Sequence, residues 1–230
     1  MNKTKIEWCD YTVNPVKGLC PMACPYCYAR AMYKRFKWNP EIRYEEVFYY
    51  SGIKGKPGDK YFVGSTMELF GDWIPKEWLD DIFRWVNSYP QRTFIFLTKQ
   101  PWNLIKFSPF PDNCWVGVTA TDRTFLSQAL YVGLERIEAK VKFISFEPLL
   151  GETFINMKDI TDTMVNWVII GAQTKPYKPP KWEWVEEIIE ACVKAGIPYF
   201  LKNNLEPIVP KVFGGDGSII QEMPSCNPVG

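Results

Sequence analysis

The chain has 230 residues, enough to bury the core of one barrel-sized domain, and its 47% hydrophobic content is that of a folded protein. Its formal net charge of +1 does not imply a uniformly basic surface for nucleic acid, although a local basic patch is compatible with it. The sequence contains no histidine, which excludes Ser-His and Cys-His nucleophilic machinery and the usual ligands of zinc hydrolases.

The cysteines and the lack of long apolar runs indicate the compartment. The chain has seven cysteines, an odd number, and three of them lie close together, which does not suit a disulfide scaffold. The first ten residues are polar and contain no signal-peptide core, and no apolar run reaches the length of a membrane span. These features predict a protein of the reducing cytoplasm.

The first predicted elements flank a group of cysteines. A short strand at Tyr11–Val13 ends at Asn14 and Pro15, and a helix is predicted from residue 28 to about residue 37. Between them lies a C-x3-C-x2-C run, formed by Cys20, Cys24 and Cys27. Two prolines stiffen this loop. Such close spacing lets three thiolates reach one centre without help from distant parts of the chain.

The three thiolates predict a metal centre. Thiolates are the soft ligands that iron–sulfur clusters and zinc prefer. Both kinds of site usually have four protein ligands, so either a fourth ligand comes from elsewhere or one position stays open for chemistry. Cys9 is a candidate fourth ligand for structural zinc. The basic side chains of the following helix suit either a solvated face or contact with phosphate; they are Arg30, Lys34, Arg35 and Lys37.

A regular alternation of strands and helices begins at Lys60. Residues 38–59 combine aromatic, charged, glycine and proline residues, which predicts an insertion or lid. Strands are then expected at 60–64, 93–97, 115–118, 141–146, 167–171 and 198–201. Helices are expected at 75–88, 102–107, 122–137, 158–163 and 182–195. This alternation predicts a parallel sheet with helices outside it, either open or closed toward a barrel.

Polar residues follow almost every predicted strand. They include Asn14, Ser65, Thr66, Glu68, Thr98, Lys99, Thr119, Asp122, Glu147, Gln173, Thr174, Lys202 and Asn203. In a barrel these positions face one mouth, where barrel active sites lie, whereas an open sheet would concentrate function at one switch point. Polarity at so many strand ends favours a barrel-like arrangement.

The C-x3-C-x2-C run, with an aromatic residue before its last cysteine, resembles the signature of the radical S-adenosylmethionine (radical SAM) superfamily. Within that superfamily the chain is most similar to a phage- and prophage-associated three-cysteine family of unknown function, which is distantly similar to spore photoproduct lyase. The motifs that carry this similarity lie at 6–8, 14–15, 27–29, 97–99, 116–119, 147–151 and 167–171. The superfamily's Gly-Gly-Glu corresponds loosely to residues 64–68.

The resemblance implies a fold and two cofactors. The expected fold is α/β, a partial (β/α)6-type TIM barrel over residues 1–204, with a seventh strand in some arrangements, and with residues 205–230 as an extension packed on the barrel. Cys20, Cys24 and Cys27 would hold a [4Fe–4S] cluster whose open iron binds S-adenosylmethionine. A reductant such as flavodoxin or ferredoxin would act on a cytoplasmic, monomeric enzyme.

The resemblance and the strand ends together suggest roles for the remaining site residues. Tyr26 would lie near the adenine; Ser65, Thr66 and Glu68 would face the methionine end of the cofactor. Thr119 and Asp122 are candidates for ribose or carboxylate contact, and Gly171 would permit close approach of a ring. Lys99 and Glu147 are the charges expected inside the mouth, paired with each other or with ligands. Cys9 and Cys226 are candidate hydrogen-atom donors.

Three functions stay open from the sequence. The first is a radical SAM enzyme that repairs or modifies a nucleic acid base or nucleotide, favoured by the basic helix beside the cysteines. The second keeps that chemistry with a small-molecule or peptide substrate, which the near-neutral net charge favours. The third is a zinc-stabilised binding module without catalysis.

Overall fold

A computed structural model describes residues 1–46, 52–210 and 219–225 of the chain. Its strands, in chain order, are β1 (Asn2–Lys3), β2 (Tyr11–Val13), β3 (Val16–Lys17), β4 (Arg43–Tyr44), β5 (Lys60–Val63), β6 (Thr93–Thr98), β7 (Cys114–Thr119), β8 (Val141–Phe146), β9 (Trp167–Ile170), β10 (Gln173–Thr174), β11 (Tyr177–Lys178) and β12 (Tyr199–Leu201). Its α-helices are α1 (Tyr28–Phe36), α2 (Lys76–Asn87), α3 (Arg123–Ser127), α4 (Met157–Asp162) and α5 (Trp182–Ala195).

The main sheet has eight strands, in the order β1-β2-β5-β6-β7-β8-β9-β12. Strand β1 runs antiparallel to β2, whereas the pairs β2–β5, β5–β6, β8–β9 and β9–β12 are parallel. The predicted α/β class with a parallel sheet is therefore confirmed. A closed barrel is not detected in the described part of the chain, and the partial barrel stays a prediction.

The chain divides into two compact units, and the first contains Met1–Val116 together with Glu138–Lys140. In this unit Val13 of β2 lies opposite Val63 of β5, and Val63 lies opposite Phe96 of β6. Because these parallel strands end in register, the residues that follow them meet at one edge of the sheet. Helix α2 is amphipathic and buries one face, formed by Leu79, Ile82, Trp85 and Val86.

The second unit contains Gly117–Ile137 and Val141–Gly230. Phe146 at the end of β8 lies opposite Ile170 of β9, which in turn lies opposite Leu201 of β12. Helix α5 buries Val185, Ile188, Ile189, Ala191 and Cys192 and ends at Gly196, which has the left-handed conformation expected of a helix C-cap. The described residues near the C-terminus run beside β12, where the backbone of Leu201 donates to Ile220.

Three features of the fold differ from the sequence-based expectation. The helix expected at 122–137 is short: α3 gives way to a π-helical segment at Gln128–Gly133 and a 3-10 turn at Leu134–Arg136. The expected insertion at 38–59 contains β4, which pairs with β3, while residues 47–51 lie outside the described residues. A small β10–β11 hairpin also escaped prediction because strands of two residues carry no periodicity.

The remaining expected helices are present. The helix expected at 158–163 is α4, and it begins with a capping box in which the Asn156 side chain accepts from the backbone N–H of Asp159. The turn expected at 102–107 is a 3-10 helix at Pro101–Phe107. None of the described helices has the length and apolar character needed to cross a membrane.

Candidate functional site

The three clustered cysteines lie between β3 and α1, in the first unit. Cys20, Cys24 and Cys27 are all half-buried, and none of the three forms a disulfide. The backbone N–H of Cys27 donates to the carbonyl of Cys24 at 3.0 Å, which folds the segment into a tight turn. All three side chains line one small cavity of about 20 Å³. The cysteine loop therefore gathers three free thiols around one small space.

The surroundings of the loop act on its thiols in opposite directions: the helix terminus favours a thiolate at Cys27, whereas the pKa of Cys20 is raised by burial and by the charges of Glu68 and Cys24. Cys27 is the N-cap of α1 and makes no side-chain cap hydrogen bond, and the first turn of α1 has no acidic residue. The positive end of the helix dipole therefore favours negative charge at this point. Burial raises the pKa of the Cys20 thiol, while hydrogen bonds from the backbone of Glu68 and of Met22 lower it.

Three thiols in one short loop are the type of ligand that an iron–sulfur cluster takes, but they are not arranged around one point. Among the residues that the structure describes, no group of three or more Cys, His, Asp or Glu side chains is positioned to hold a metal ion, so the three thiols must turn toward one point to bind a cluster. Cys9 is buried and does not line the cavity of the three thiols. Neither a three-thiol centre nor the four-thiol zinc site considered from the sequence is thus preformed among the described residues.

The cysteine loop is clamped by α1 and by the segment that follows it. The backbone N–H of Gly18 donates to the Tyr33 hydroxyl at 2.7 Å, and that of Leu19 donates to the Pro40 carbonyl at 2.8 Å. Gly18 has φ +124°, and an added Cβ would lie 2.6 Å from the Glu41 carbonyl oxygen, so only glycine fits here. The Arg30 guanidinium donates to the Cys20 carbonyl at 2.8 Å. These contacts hold the backbone at the start of the cysteine loop in place.

Polar residues after β2 and β5 form a network next to the start of α1. The Asn14 amide donates to the Ser65 hydroxyl at 3.1 Å, and its oxygen accepts from the backbone N–H of Thr66 at 3.1 Å. The Tyr28 hydroxyl donates to the Ser65 carbonyl at 2.7 Å, which connects α1 to this network. The structure thus places Asn14 against both Ser65 and Thr66, and it places Tyr28 against Ser65.

Glu68 is buried, and both of its carboxylate oxygens already accept hydrogen bonds from the protein. Oε1 accepts from the Thr98 hydroxyl at 2.6 Å and from the backbone N–H of Phe70 at 3.1 Å, and Oε2 accepts from the backbone N–H of Lys99 at 2.7 Å. Burial raises the pKa of the Glu68 carboxyl, whereas the bonds from Thr98 and Lys99 and the charge of Lys99 oppose that rise. Glu68 therefore joins the ends of β5 and β6 beside Cys20.

An ion pair lies at the strand ends of the second unit. Lys202, directly after β12, places its Nζ 2.9 Å from Oε1 of Glu147, directly after β8, and both side chains are largely buried. The Ser145 hydroxyl donates to the other oxygen of Glu147 at 3.2 Å. A Cβ at Gly171 would lie 3.0 Å from Cδ of Lys202 and 3.1 Å from Oε1 of Glu147, so the glycine leaves room for this pair. Sequence reasoning expected Lys99 or a ligand opposite Glu147 and did not consider Lys202.

The other predicted site residues have the following places. Thr119 is the buried last residue of β7. Asp122 is the N-cap of α3, and its carboxylate accepts from the backbone N–H groups of Thr124 and Phe125. Tyr26 is half-buried inside the cysteine loop. Cys226 lies outside the described residues.

Comparison with known proteins identifies a family and no characterised relative. A family model described as "Protein of unknown function (DUF5131)" matches residues 3–208. No curated protein and no solved structure matches the chain.

Proposed function

The chain belongs to the DUF5131 family, and we propose that it is a radical SAM enzyme in which Cys20, Cys24 and Cys27 hold a [4Fe–4S] cluster. The observation that carries this proposal is the gathering of three free thiols around one cavity at the N-terminus of a helix. When bound, such a cluster supplies the electron that cleaves S-adenosylmethionine to a 5′-deoxyadenosyl radical, which takes hydrogen from a substrate. Three protein ligands leave the fourth iron position open.

The chain's own residues have three tasks in this function. The first is to orient the thiolates, and the clamp on Gly18, Leu19 and Cys20 performs it. The second is to form the polar wall beside the cluster, for which Ser65 and Thr66 are placed by Asn14. We assign the methionine end of S-adenosylmethionine to these residues.

The third task is to join the neighbouring strand ends, and it falls to Glu68. Because both of its oxygens are occupied by Thr98, Phe70 and Lys99, we assign Glu68 to positioning rather than to direct contact with the cofactor. This revises the role that the sequence suggested for Glu68. The sequence-based assignment of Lys99 to a carboxylate or phosphate of a ligand stays a prediction.

In the second unit, Thr119 and Gly171 stay candidates for contact with the cofactor. Asp122 is a weaker one, because its Oδ1 already accepts the two N–H groups that begin α3. The proposal further includes the partial barrel of the superfamily, a flavodoxin- or ferredoxin-like reductant and a cytoplasmic location.

Iron content tests the proposal. The chain, purified without oxygen and reconstituted with iron and sulfide, should bind about four irons and absorb at about 400 nm. Cys20→Ala, Cys24→Ala and Cys27→Ala should each lose the bound cluster and the cleavage of S-adenosylmethionine. Cys192→Ala is the matched control, because Cys192 belongs to α5 and does not line the cavity of the three cysteines, and it should keep both.

Two results would overturn the assignment. One is full iron content in any of the three loop variants. The other is a colourless protein that contains about one zinc per chain and loses it on Cys9→Ala, which would identify the zinc-stabilised module instead.

A further inference from the structure

A larger cavity lies beside the cysteine loop, entirely within the first unit, and it shares Cys24, Cys27, Arg30 and Tyr33 with the small one. Its volume is about 590 Å³, which is in the range of sites for small ligands. One wall is the cysteine loop, another is α1, and a third is the segment after α1, which the bond from Leu19 to Pro40 holds in place. The lining residues used in the argument are Cys24, Arg30, Tyr33, Lys34, Trp38 and Pro40.

Without a bound cluster, the charged side chains of this cavity are both cations. Its lining includes two cations, Arg30 and Lys34, and no carboxylate. One donor of the Arg30 guanidinium is used by the Cys20 carbonyl, which fixes the group and leaves its other N–H donors for a ligand. Helix α1 has no acidic residue, and among the described residues no carboxylate forms an ion pair with its basic side chains or with Lys37. An anionic ligand would therefore be favoured here.

Two aromatic residues, Tyr33 and Trp38, line the cavity beside these cations, and Phe36, outside the lining, packs on Trp38. Trp38 is 44% exposed and Phe36 is 51% exposed, and the two rings stack at 5.4 Å between centroids with an interplanar angle of 24°. Trp38 also packs edge-on against Tyr33 at 5.3 Å.

The backbone holds Trp38 in this position. Lys37 has φ +50°, which ends α1 and turns the chain, and the N–H of Trp38 then donates to the Tyr33 carbonyl at 3.2 Å. Trp38 is therefore a ring with a fixed orientation and a large exposed surface.

We propose that this cavity binds a nucleotide unit of a single-stranded nucleic acid, with a phosphate at Arg30 and Lys34 and a base stacked on Trp38. Fixed aromatic rings within a positively charged groove are the means by which proteins bind single strands. An acidic protein partner would use the cations but would not need the exposed ring. The inference rests on the proposed function in that the strand would be the substrate of that enzyme, whereas the binding itself is testable without a cluster.

Fluorescence anisotropy with a labelled oligothymidylate of about twelve nucleotides tests the base contact. The full chain is used without reconstitution. Trp38→Ala should weaken binding about tenfold, because it removes the stacking of one base. Trp38→Phe keeps a ring and should bind nearly as well as the parent. Trp102→Ala is the matched control, because Trp102 has the same 44% exposure on a 3-10 turn and does not line the cavity.

The dependence of the affinity on salt tests the phosphate contact. Lys34→Glu should make the negative slope of log K against log salt shallower by about 0.7, the value for one phosphate contact of a single strand. Lys158→Glu, on the exposed surface of α4, should leave that slope unchanged. Circular dichroism of each variant checks that it is folded.

Three outcomes would overturn the inference. The first is an oligothymidylate that does not bind at all. The second is a lack of any effect of the cavity substitutions, so that the parent, Trp38→Ala and Lys34→Glu bind equally. Full competition by heparin, with no effect of Trp38→Ala, belongs with it and would indicate a surface for any polyanion or for an acidic protein. The third is free thymidine monophosphate that binds as tightly as the strand, which would make the ligand a mononucleotide. A normal cluster with any of these results would leave the proposed function intact.

Discussion

Removing one partner of the Glu147–Lys202 ion pair should destabilise the protein far more than removing one partner of an exposed pair. The Nζ–Oε1 distance is 2.9 Å, and the two side chains keep only 19% and 17% of their exposure. Loss of one partner of a fully buried pair costs about 3–5 kcal/mol, because the other charge stays buried without compensation. The residual exposure lets water reach the remaining charge, so we expect a loss of roughly 2–3 kcal/mol for Lys202→Met or Glu147→Gln.

The chain offers a control pair with nearly the same geometry and little burial. Lys194 and Glu190 on α5 are 2.8 Å apart, and their side chains are 64% and 61% exposed. Lys194→Met should cost only about 0.3–0.5 kcal/mol, the value of an exposed i,i+4 pair. The comparison holds distance constant and changes burial.

Urea unfolding, followed by circular dichroism, measures these differences. In the double variant Glu147→Gln/Lys202→Met the loss should be smaller than the sum of the two single losses, because neither variant side chain carries a charge. Equal losses for Lys202→Met and Lys194→Met would refute the reasoning from burial. If instead both single variants keep their stability and lose only turnover, the pair serves a ligand and does not brace the strand ends.

Two further predictions concern buried polar groups. Glu68→Gln places an amide N–H₂ against either the Thr98 hydroxyl or the backbone N–H of Lys99. The free energy of unfolding in urea should therefore fall by about 1–3 kcal/mol. Unchanged stability would mean that the carboxylate does not join these strands. Burial lowers the pKa of Lys142, whose Nζ donates to the Leu134 carbonyl. The unfolded chain then binds more protons between that lowered pKa and 10.5, so the stability of the parent relative to Lys142→Met should rise with pH in this alkaline window; a difference that falls with pH would contradict the burial of the charge.

Local patterns in the sequence predicted most of the elements. Runs of apolar residues identified β6 and β8, and α5 was recognised from its periodic apolar face and from Gly196 at its end. The helix after Asp122 was predicted too long, because the cap residue marks where a helix begins but not how its later turns are bonded. The two-residue strands were missed because only their partners define them.

The cysteine motif could also be recognised from the sequence, because it too is a local pattern. Cys20, Cys24 and Cys27 are close in the chain, so their convergence needs no knowledge of distant contacts. The surrounding hydrogen bonds could not be predicted from the sequence. Tyr33 and Pro40 accept from Gly18 and Leu19 only because the chain turns back on itself, and their residue types do not indicate this turn.

Sequence alone therefore determined the α/β class and the three thiols, which depend on neighbouring residues. Tertiary structure decided the partners of the buried charges. Glu147 and Lys202 are far apart in the chain, yet both directly follow strands whose last residues, Phe146 and Leu201, lie opposite the same residue, Ile170. A parallel sheet brings such residues together through its strand order and register, and these are set by the packing of the whole sheet.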